Sequence, residues 1–416
     1  MQSTRRRHAL AALIVLALTI PMVSVAAPAT TGRGSAAATH RGGGNLLANA
    51  GFETPLAGHP WMPAVWDTFP SGLPTVFFGR DTFLVHSGHY AVSIANLSTY
   101  VPMYHNWSQT LLVGRELWGK DLVFSIWTRS NGLQGRAYVL LQAYRDTIGK
   151  MAKIWNVERD VARERMRIPP TDDPLVNLGW DRKYFSDSET DWVKREVRIY
   201  VPPTTNSVIV RCGIFGTGQV MFDDASLTAV AAAPPPELPL NTNLLADPGF
   251  EGEGNDWEYS MPPYEGLTIE RDSTVAHSGK ASIHMQGGTT GPVPVRTGVC
   301  QRLANRGLAG KRVRLSGWVR TDSLATQAYI KVYCTTSDGD VHEPTPAQFG
   351  ANTDWTKTTM EVDCPPGTLM VWGWFLYNAP GAGQLYYDDC SMEVIGTANY
   401  VRNGTAPPKP PPLPSR

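Results

Sequence analysis

Acidic residues recur at matching places in the two halves of this chain of 416 residues. A glutamate ends the segments "NLLANAGFE" and "NLLADPGFE", and an aspartate pair lies in "GQVMFDDASL" and "GQLYYDDCSM". Grouped carboxylates repel one another unless a cation or hydrogen bonds compensate their charge. Their hard oxygens suit Ca²⁺, which takes about six to eight oxygen ligands. The predicted metal ligands are Glu53, Asp223, Asp224, Glu251, Asp388 and Asp389.

The same carboxylates allow two other interpretations. One is that they accept hydrogen bonds from the amides of a turn, with no ion present. The other is hydrolysis of a glycosidic bond, which needs two carboxyl groups about 5 Å or about 6.5–9.5 Å apart. We expect these residues at a strand edge, away from any sugar-sized cleft. The sequence also lacks a G-x-S-x-G elbow, an HExxH motif and a phosphate-binding loop, so we predict that the chain is not an enzyme.

Two apolar segments of the second half carry aromatic residues at alternating positions. Successive side chains of a strand point to opposite faces, so the tyrosines and the lysine of "AYIKVYC" share one face. Both tryptophans of "VWGWFLY" likewise share a face. Flat rings can stack on a sugar while neighbouring polar groups bind its hydroxyls. The predicted sugar-binding platform comprises Tyr329, Lys331, Tyr333, Trp372, Trp374 and Gln301.

The platform depends on the orientation of the second strand. If that strand has the opposite orientation, both tryptophans fill the core instead. Matching positions of the first half are less aromatic, which predicts that the two halves bind a ligand unequally or that the first half is a spacer. Trp127 and Trp318, which lie in S-x-W-x-R segments between apolar residues, are predicted to be core. The predicted ligand contacts of the first half are Tyr138, Gln142, Arg211 and Trp107.

Five landmarks occur in the same order in both halves, so the chain is a tandem duplication. Besides the acidic motifs they are "HSG" at 86–88 and 277–279, a "GK…S-x-W" segment, and an Asp-Trp pair. The tryptophan of "GK…S-x-W" precedes the Asp-Trp pair by 64 residues in the first copy and by 36 in the second. The first copy therefore carries 28 extra residues, mostly within 145–189.

This insertion contains "KIWNVERDVARERMR" at 153–167. The spacing of Ile154, Val157 and Val161 predicts a short amphipathic helix there. A long insertion in a compact domain is often functional, and a surface decoration is the alternative.

Short alternating segments dominate both copies and are separated by Gly, Pro, Asn and Asp turns. They show no strand–helix–strand rhythm, which predicts an all-β fold of two tandem antiparallel jelly-roll β-sandwiches joined by a Pro-rich linker. The predicted organisation is a signal peptide at 1–27, a flexible leader at 28–44, module 1 at 45–230, a Pro-rich linker at 231–242, module 2 at 243–396 and a Pro-rich tail at 397–416.

The N-terminus has the pattern of an export signal. Three arginines at 5–7 precede an apolar run at 9–20 and small residues at 24–27. The run is short for a membrane span, although an uncleaved anchor is the alternative. We therefore predict a secreted, extracellular protein whose mature chain is not inserted in a membrane. With 37 basic and 37 acidic residues the formal net charge is zero, which disfavours nucleic acid as a partner.

Five cysteines fit an oxidising compartment. Cys212 stands alone in the first copy, among apolar residues, and is predicted to be a buried thiol. The other four lie in the second copy and allow two disulfides in three connectivities. These are Cys300, Cys334, Cys364 and Cys390.

The succession N-L-x-x-x-x-G-F-E, H-S-G, G-K-x-x-x-x-S-x-W, D-W and D-D-x-S resembles carbohydrate-binding modules of the family 4/9 type, which belong to the galactose-binding-like jelly rolls. The resemblance covers both copies nearly end to end. It implies a jelly-roll fold, a carbohydrate ligand and a structural calcium at the acidic motifs. The strand order of a jelly roll also implies that Cys334 and Cys364 lie at the same end of the sandwich, and we predict that they pair.

Together these features predict a secreted, non-catalytic carbohydrate-binding protein. It would recognise polysaccharide or cell-surface glycan through aromatic stacking and hydrogen bonds. One alternative is a structural or adhesive surface protein whose jelly rolls bind other proteins, through the insertion or the Pro-rich tail. Another is an accessory part of a glycoside hydrolase.

Overall fold

The chain forms two tandem antiparallel β-sandwiches, each built from two packed layers of strands. The structure is a computed structural model. The predicted signal peptide, the leader up to residue 43 and the tail from residue 400 lie outside the described residues. The structure describes residues 44–69, 74–98, 104–155, 157–169, 175–186, 189–252, 256–260, 267–287, 295–303, 306–337, 341–342, 347–349, 351–379 and 382–399.

The first sandwich contains β1 (Pro55–Leu56), β2 (His59–Pro63), β3 (Asp67–Phe69), β4 (Val76–Asp81), β5 (Ala91–Asn96), β6 (Tyr104–Leu112), a 3-10 helix (Arg115–Leu117), β7 (Lys120–Asp146), α1 (Thr147–Trp155), α2 (Arg159–Arg165), β8 (Leu175–Phe185), β9 (Val193–Tyr200) and β10 (Ser207–Ala231). The second contains β11 (Glu258–Ser260), β12 (Thr268–Asp272), β13 (Ser282–Gln286), β14 (Val295–Leu303), a 3-10 helix (Arg306–Leu308), β15 (Lys311–Asp322), β16 (Ala328–Thr336), β17 (Val341–His342), β18 (Ala347–Phe349), β19 (Thr353–Asp363), β20 (Thr368–Ala379) and β21 (Gln384–Thr397).

Two long strands of the first sandwich, β7 and β10, pass from one layer to the other. The layer that carries the predicted ligand contacts has the order β3-β6-β10-β7-β8, and we call it the inner layer. The outer layer has the order β4-β5-β10-β7-β9. Because β7 and β10 pair along both layers, the two layers share one continuous hydrogen-bond ladder.

The second sandwich repeats this topology with separate strands. Its inner layer has the order β11-β14-β20-β16, followed by the short strands β17 and β18, and its outer layer has the order β12-β13-β21-β15-β19. The orders match strand by strand, so the duplication of the sequence is also a duplication of the fold. The layers differ at one edge, where the first sandwich has the 11-residue strand β8 and the second has strands of two and three residues.

Each sandwich has its own hydrophobic core between its layers. Phe52, Phe124 and Phe222 lie in the first core, and Phe250 and Phe375 lie in the second. Burial of a large apolar side chain contributes about 1.5–3 kcal/mol. Alternate residues of each inner strand point away from this core, and we call the surface they form the inner face.

The insertion contributes β8 and the two helices. Instead of one helix over 153–167, the chain forms α1 and α2, because the residue before α2 has an extended backbone. The predicted apolar stripe is also wrong, since Ile154 and Val161 are exposed. A small core between the helices is formed by Ile148, Ala152 and Ala162 instead.

The linker joins the second sandwich without regular structure of its own. β10 extends to Ala231, and residues 232–239 form neither helix nor strand. Leu238 packs against the second core, and Leu240 forms a bridge with Val394.

All five cysteines are buried free thiols. The Sγ atoms of Cys334 and Cys364 lie 3.3 Å apart, whereas Cys212 lies in the first core. A disulfide between Cys334 and Cys364 stays a prediction. No helix in the described ranges is long and apolar enough to cross a membrane.

Candidate functional site

The acidic motifs bind the His-Ser-Gly turn of each sandwich. In the first, Asp223 Oδ2 accepts hydrogen bonds from the backbone N–H groups of His86 and Ser87, at 2.8 and 3.1 Å. Glu53 Oε1 accepts two more from the backbone N–H groups that follow the turn, at 2.9 and 3.2 Å. The irregular opening segment and the last strand, β10, therefore meet at this turn, and the carboxylates satisfy its amides.

A histidine and an aspartate extend this contact to the surface. His86 Nδ1 lies 2.6 Å from Asp224 Oδ2, and Ser87 Oγ donates to Asp224 Oδ1 at 2.9 Å. The ring of His86 stacks on Trp127 with 3.9 Å between centroids, and Trp192 meets its edge. Trp127 is thus half-buried beneath the histidine, which corrects the prediction that it is core.

The second sandwich repeats the cluster. Asp388 Oδ2 accepts from the backbone N–H groups of His277 and Ser278 at 2.7 and 3.1 Å, and His277 Nδ1 lies 2.7 Å from Asp389 Oδ2. Glu251 Oε1 accepts from the two amides after the turn at 2.8 and 3.3 Å. The histidine stacks on Trp318 at 3.8 Å, so this tryptophan is also half-buried rather than core.

The turn glycines have no room for a side chain. Gly88 has φ +66°, and a Cβ there would lie 2.2 Å from Glu53 Oε1. Gly279 has φ +64°, and its Cβ would lie 2.1 Å from Glu251 Oε1. The glutamate oxygens reach the turn amides only because these positions lack a Cβ.

The backbone N–H groups that donate to these carboxylates fit turn capping better than calcium binding. Asp223 and Asp388 have no exposed surface, and each accepts three backbone hydrogen bonds. Burial raises the pKa of both carboxyls, and the three hydrogen bonds offset part of that rise. Over the described residues, no group of three or more His, Cys, Asp or Glu side chains is placed to hold a metal ion. Calcium at the acidic motifs stays a prediction.

The predicted platform of the second sandwich lies together on its inner face. β16 and β20 pair so that Lys331 is opposite Trp374 and Tyr333 is opposite Trp372. The rings of Tyr333 and Trp372 stack with centroids 5.6 Å apart, and those of Trp372 and Trp374 stack with centroids 5.8 Å apart. Tyr329 lies on the same face, where its hydroxyl donates to Asn378 Oδ1 at 3.3 Å. We call this set the aromatic row.

Gln301 does not belong to the aromatic row. Its Oε1 accepts from the backbone N–H of Ala246 at 3.0 Å, and its Nε2 donates to the carbonyl of the same residue at 2.5 Å. Gln109 makes the corresponding pair of bonds with Ala48 in the first sandwich. Gln301 therefore anchors the opening segment of its sandwich, which corrects the prediction that it contacts a ligand.

Three further residues of this face were not predicted from the sequence. Cys300 pairs with Trp374, Arg302 pairs with Trp372, and Glu258 pairs with Cys300 across neighbouring strands. All three lie on strands of the inner layer, but β11 is too short to show an alternating pattern. The pairing of Cys300 opposite an aromatic residue had no signal in the sequence.

Three of the four predicted ligand contacts of the first sandwich lie on its inner face. Arg211 Nη1 donates to Gln142 Oε1 at 3.0 Å, and Tyr138 meets Tyr104 edge-to-face. Trp107 is the exception. It is fully buried in the first core, where its indole Nε1 donates to the carbonyl of Ser93 at 3.2 Å. Its strand turns it toward the opposite layer, so the prediction that it contacts a ligand is corrected.

The aromatic row is covered in this structure. Its five side chains, from Tyr329 to Trp374, are only 4–8% exposed. Trp180 of β8 in the first sandwich meets Trp372 at 5.6 Å between centroids, and Arg302 donates to the carbonyl of Trp180. Arg136 of β7 donates to the carbonyl of Trp257 at 2.7 Å. We call this contact between the two sandwiches the seam.

A buried ion pair lies at the centre of the seam. Arg182 Nη2 of β8 lies 2.6 Å from Glu258 Oε2, and Arg302 Nη2 lies 3.5 Å from Glu258 Oε1. These side chains are 5–11% exposed. Burial lowers the pKa of Arg302, and Glu258 opposes that shift. One carboxylate thus compensates two buried guanidinium groups from different sandwiches.

Several donors in the seam have no hydrogen-bond partner among the described residues. They are Trp180 Nε1, Trp372 Nε1, Arg182 Nε and Arg302 Nε. Leaving a buried donor unsatisfied costs about 1–3 kcal/mol. The seam therefore packs rings and charges well but leaves part of its polar surface unsatisfied.

A cleft of about 250 Å³ opens at the end of the seam, between β8, β9, the linker and β20. Its charged groups already have partners. Arg198 lies 2.8 Å from Asp121, and Arg306 lies over the ring of Tyr200 at 4.0 Å. The cleft is thus bordered by both sandwiches and by Trp180.

No protein-family model matches the chain, and no curated protein matches its sequence. Among solved structures, the tandem CBM22-1–CBM22-2 domain of Xyn10C from Paenibacillus barcinonensis is 13% identical and has a TM-score of 0.29. The similarity covers 87% of this chain and 100% of that one.

Single modules also match parts of the chain. The C-terminal family 22 carbohydrate-binding module of Xyn10B from Clostridium thermocellum is 17% identical, with a TM-score of 0.30, over 40% of this chain and 99% of that one. TmCBM61, whose structure contains β-1,4-galactotriose, is 16% identical, with a TM-score of 0.29, over 37% of this chain and 99% of that one. Scores this low carry no argument about the ligand of this chain.

Proposed function

We propose that the chain is a glycan-binding protein and that the aromatic row of its second sandwich contacts the sugar. Three stacked rings offer flat apolar surface along one line, and Lys331 and Arg302 add donors beside them. A pyranose needs this combination, because its C–H groups favour a ring face and its hydroxyls need polar partners.

One observation carries the proposal: the indole Nε1 of Trp372 lies in the aromatic row, buried and without a partner among the described residues. A buried donor in a finished core is almost always bonded. A sugar hydroxyl on this face would accept from it, whereas an apolar partner would not. The polar character of the row thus favours a hydroxyl-rich ligand over a purely structural contact.

We further propose that the protein is secreted and non-catalytic, and that its ligand is polysaccharide or cell-surface glycan. The N-terminal pattern supports export. Glu258, a carboxylate on the described part of this face, is ion-paired with two arginines. Neutral net charge supports a neutral polymer over nucleic acid.

A second candidate is a structural protein whose two sandwiches form one rigid unit. The burial of the aromatic row in the seam favours it, because aromatic residues are enriched at the cores of protein interfaces. Under this alternative the row holds the sandwiches together and binds no sugar.

Retention of the full chain on insoluble polysaccharides separates these candidates. Cellulose, xylan, β-glucan, chitin and mannan are the probes, with Trp372→Ala and Trp374→Ala as variants. We expect at least one polymer to retain the wild-type chain and each variant to bind about tenfold more weakly, as for a central aromatic contact. Trp61→Ala is the matched control, since Trp61 is 52% exposed on β2, outside the row.

Thermal unfolding shows whether each variant is folded. Folded tryptophan variants that bind like the wild type would place the glycan site elsewhere. A wild-type chain that none of the five polymers retains would favour the structural candidate.

A further inference from the structure

We infer that β8 of the insertion is a built-in cover for the aromatic row, and that its displacement controls access to that face. The second clause rests on the proposed function, whereas the first does not.

Three side-chain and backbone contacts join β8 to the second sandwich. Trp180 places its ring on Trp372, the carbonyl of Trp180 accepts from Arg302, and Arg182 pairs with Glu258. Trp180 and Arg182 alternate on β8, so both point to the same side of the strand. Lys183 directly follows Arg182, so its side chain points to the other side of the strand, and it is exposed. This face of β8 thus contacts the second sandwich, while Arg182 also donates to Tyr104 Oη of its own sandwich at 3.3 Å.

Among the described residues of the second sandwich, no strand at the corresponding edge is as long as β8. The edge of that inner layer is formed by β17 and β18, which contain two and three residues. Over the described residues, the first sandwich therefore carries the longer strand at this edge, and this strand contacts the aromatic row of the second sandwich. A purely local decoration would contact only its own sandwich.

The seam also has the properties of a contact that can open. Both hydrophobic cores lie within single sandwiches, so separation of the seam exposes neither of them. In the closed seam, the four unpaired donors have lost water without gaining another acceptor. Opening would hydrate them, and a glycan would satisfy them with hydroxyl groups.

Access then follows from the fraction of open molecules. A ligand that binds only the open form has an apparent dissociation constant equal to its intrinsic value divided by that fraction. A tenfold increase of a small open fraction therefore strengthens apparent binding about tenfold.

The test uses the full chain with Trp180→Ala, Arg182→Gln and the control Lys183→Ala, whose side chain lies on the same strand but is exposed. Hydroxyl-radical footprinting with mass spectrometry measures the accessibility of Trp372 and Tyr333 without any ligand. We expect oxidation of both residues to increase in the first two variants and to stay at the wild-type level in the control. Circular dichroism and the heat of unfolding establish that each variant is folded.

Retention on the five polysaccharides is measured in parallel. Increased oxidation together with stronger retention supports the full inference. Unchanged oxidation in folded Trp180→Ala and Arg182→Gln overturns it, because β8 would then not cover the row. Increased oxidation with unchanged retention of a polymer that the wild type binds overturns the control of access. Increased oxidation when no polymer binds any protein supports the cover and overturns the proposed function.

Discussion

In both sandwiches an aspartate pair and a glutamate bind the His-Ser-Gly turn, and the corresponding distances from the aspartates differ by no more than 0.1 Å. The inner faces differ, by contrast. That of the second sandwich carries the aromatic row, while that of the first carries a tyrosine cluster beside Arg211 and Gln142 and supplies the strand that covers the row. The duplicated cluster closes the fold, and the divergent faces make the contacts that are specific to this protein.

The largest expected effect concerns the seam, where the copies differ. Glu258→Gln would leave Arg182 and Arg302 buried without a carboxylate, which costs about 3–5 kcal/mol of unfolding free energy. Glu361→Gln is the control, because Glu361 pairs with Arg312 and Arg314 on the surface, where such pairs contribute about 0–1 kcal/mol. Denaturant unfolding of both variants measures the difference. Equal losses would mean that the seam is already hydrated.

The next largest effect is expected from acid, because the stability of the first sandwich should depend on pH through a histidine that the second sandwich replaces with threonine. Burial lowers the pKa of His105 in β6 from 6.5 to about 4. Since the unfolded chain takes up the proton first, stability is full above pH 6.5 and falls as the pH drops toward 4, by about 3 kcal/mol. His105→Thr introduces the residue found at the corresponding position of β14, and should remove this part of the acid sensitivity. Identical stability–pH curves for the two proteins would contradict the expectation.

The shared cluster should respond alike in both copies. Gly88→Ala and Gly279→Ala each force a Cβ onto a glutamate oxygen at positive φ, and we expect losses of about 2–3 kcal/mol. Gly58→Ala is the control, since it has φ +78° with no atom within 4 Å and should lose only about 1 kcal/mol. Thermal unfolding compares the three. A loss confined to one copy would show that the matching hydrogen bonds contribute unequally.

The smallest effect is expected from calcium removal. The carboxylates already accept hydrogen bonds from the turn, so EDTA should change the Tm by less than about 2 °C, equivalent to at most about 1 kcal/mol. Differential scanning calorimetry with EDTA and with added Ca²⁺ measures this change. A rise of many degrees with Ca²⁺ would show that the acidic motifs hold the ion after all.

The alternation of residues along a strand was sufficient to predict which side chains of that strand share a face. Tyr329, Lys331 and Tyr333 share a face because side chains alternate along a strand. The same rule misassigned Trp107, since it does not say which face of a strand meets the core. Gln301 was misassigned because its bond to Ala246 joins residues 55 positions apart.

The stacking of Trp127 and Trp318 on turn histidines also depends on distant segments. Each ring lies on the outer layer, and its partner comes from a turn between other strands. A tryptophan between apolar residues is typical of a core strand. The sequence therefore indicated that both tryptophans are fully buried, whereas the turn histidines leave them half-buried.

By itself the sequence determined the duplication and the all-β sandwiches, because motif order and alternation are properties of the chain. Only the tertiary structure decided that the aromatic row is covered, and by which strand. Arg302 and Trp180 are 122 residues apart and belong to different sandwiches. Their contact depends on how two folded surfaces fit, through ring packing and one shared carboxylate, and no periodicity along the chain encodes that fit.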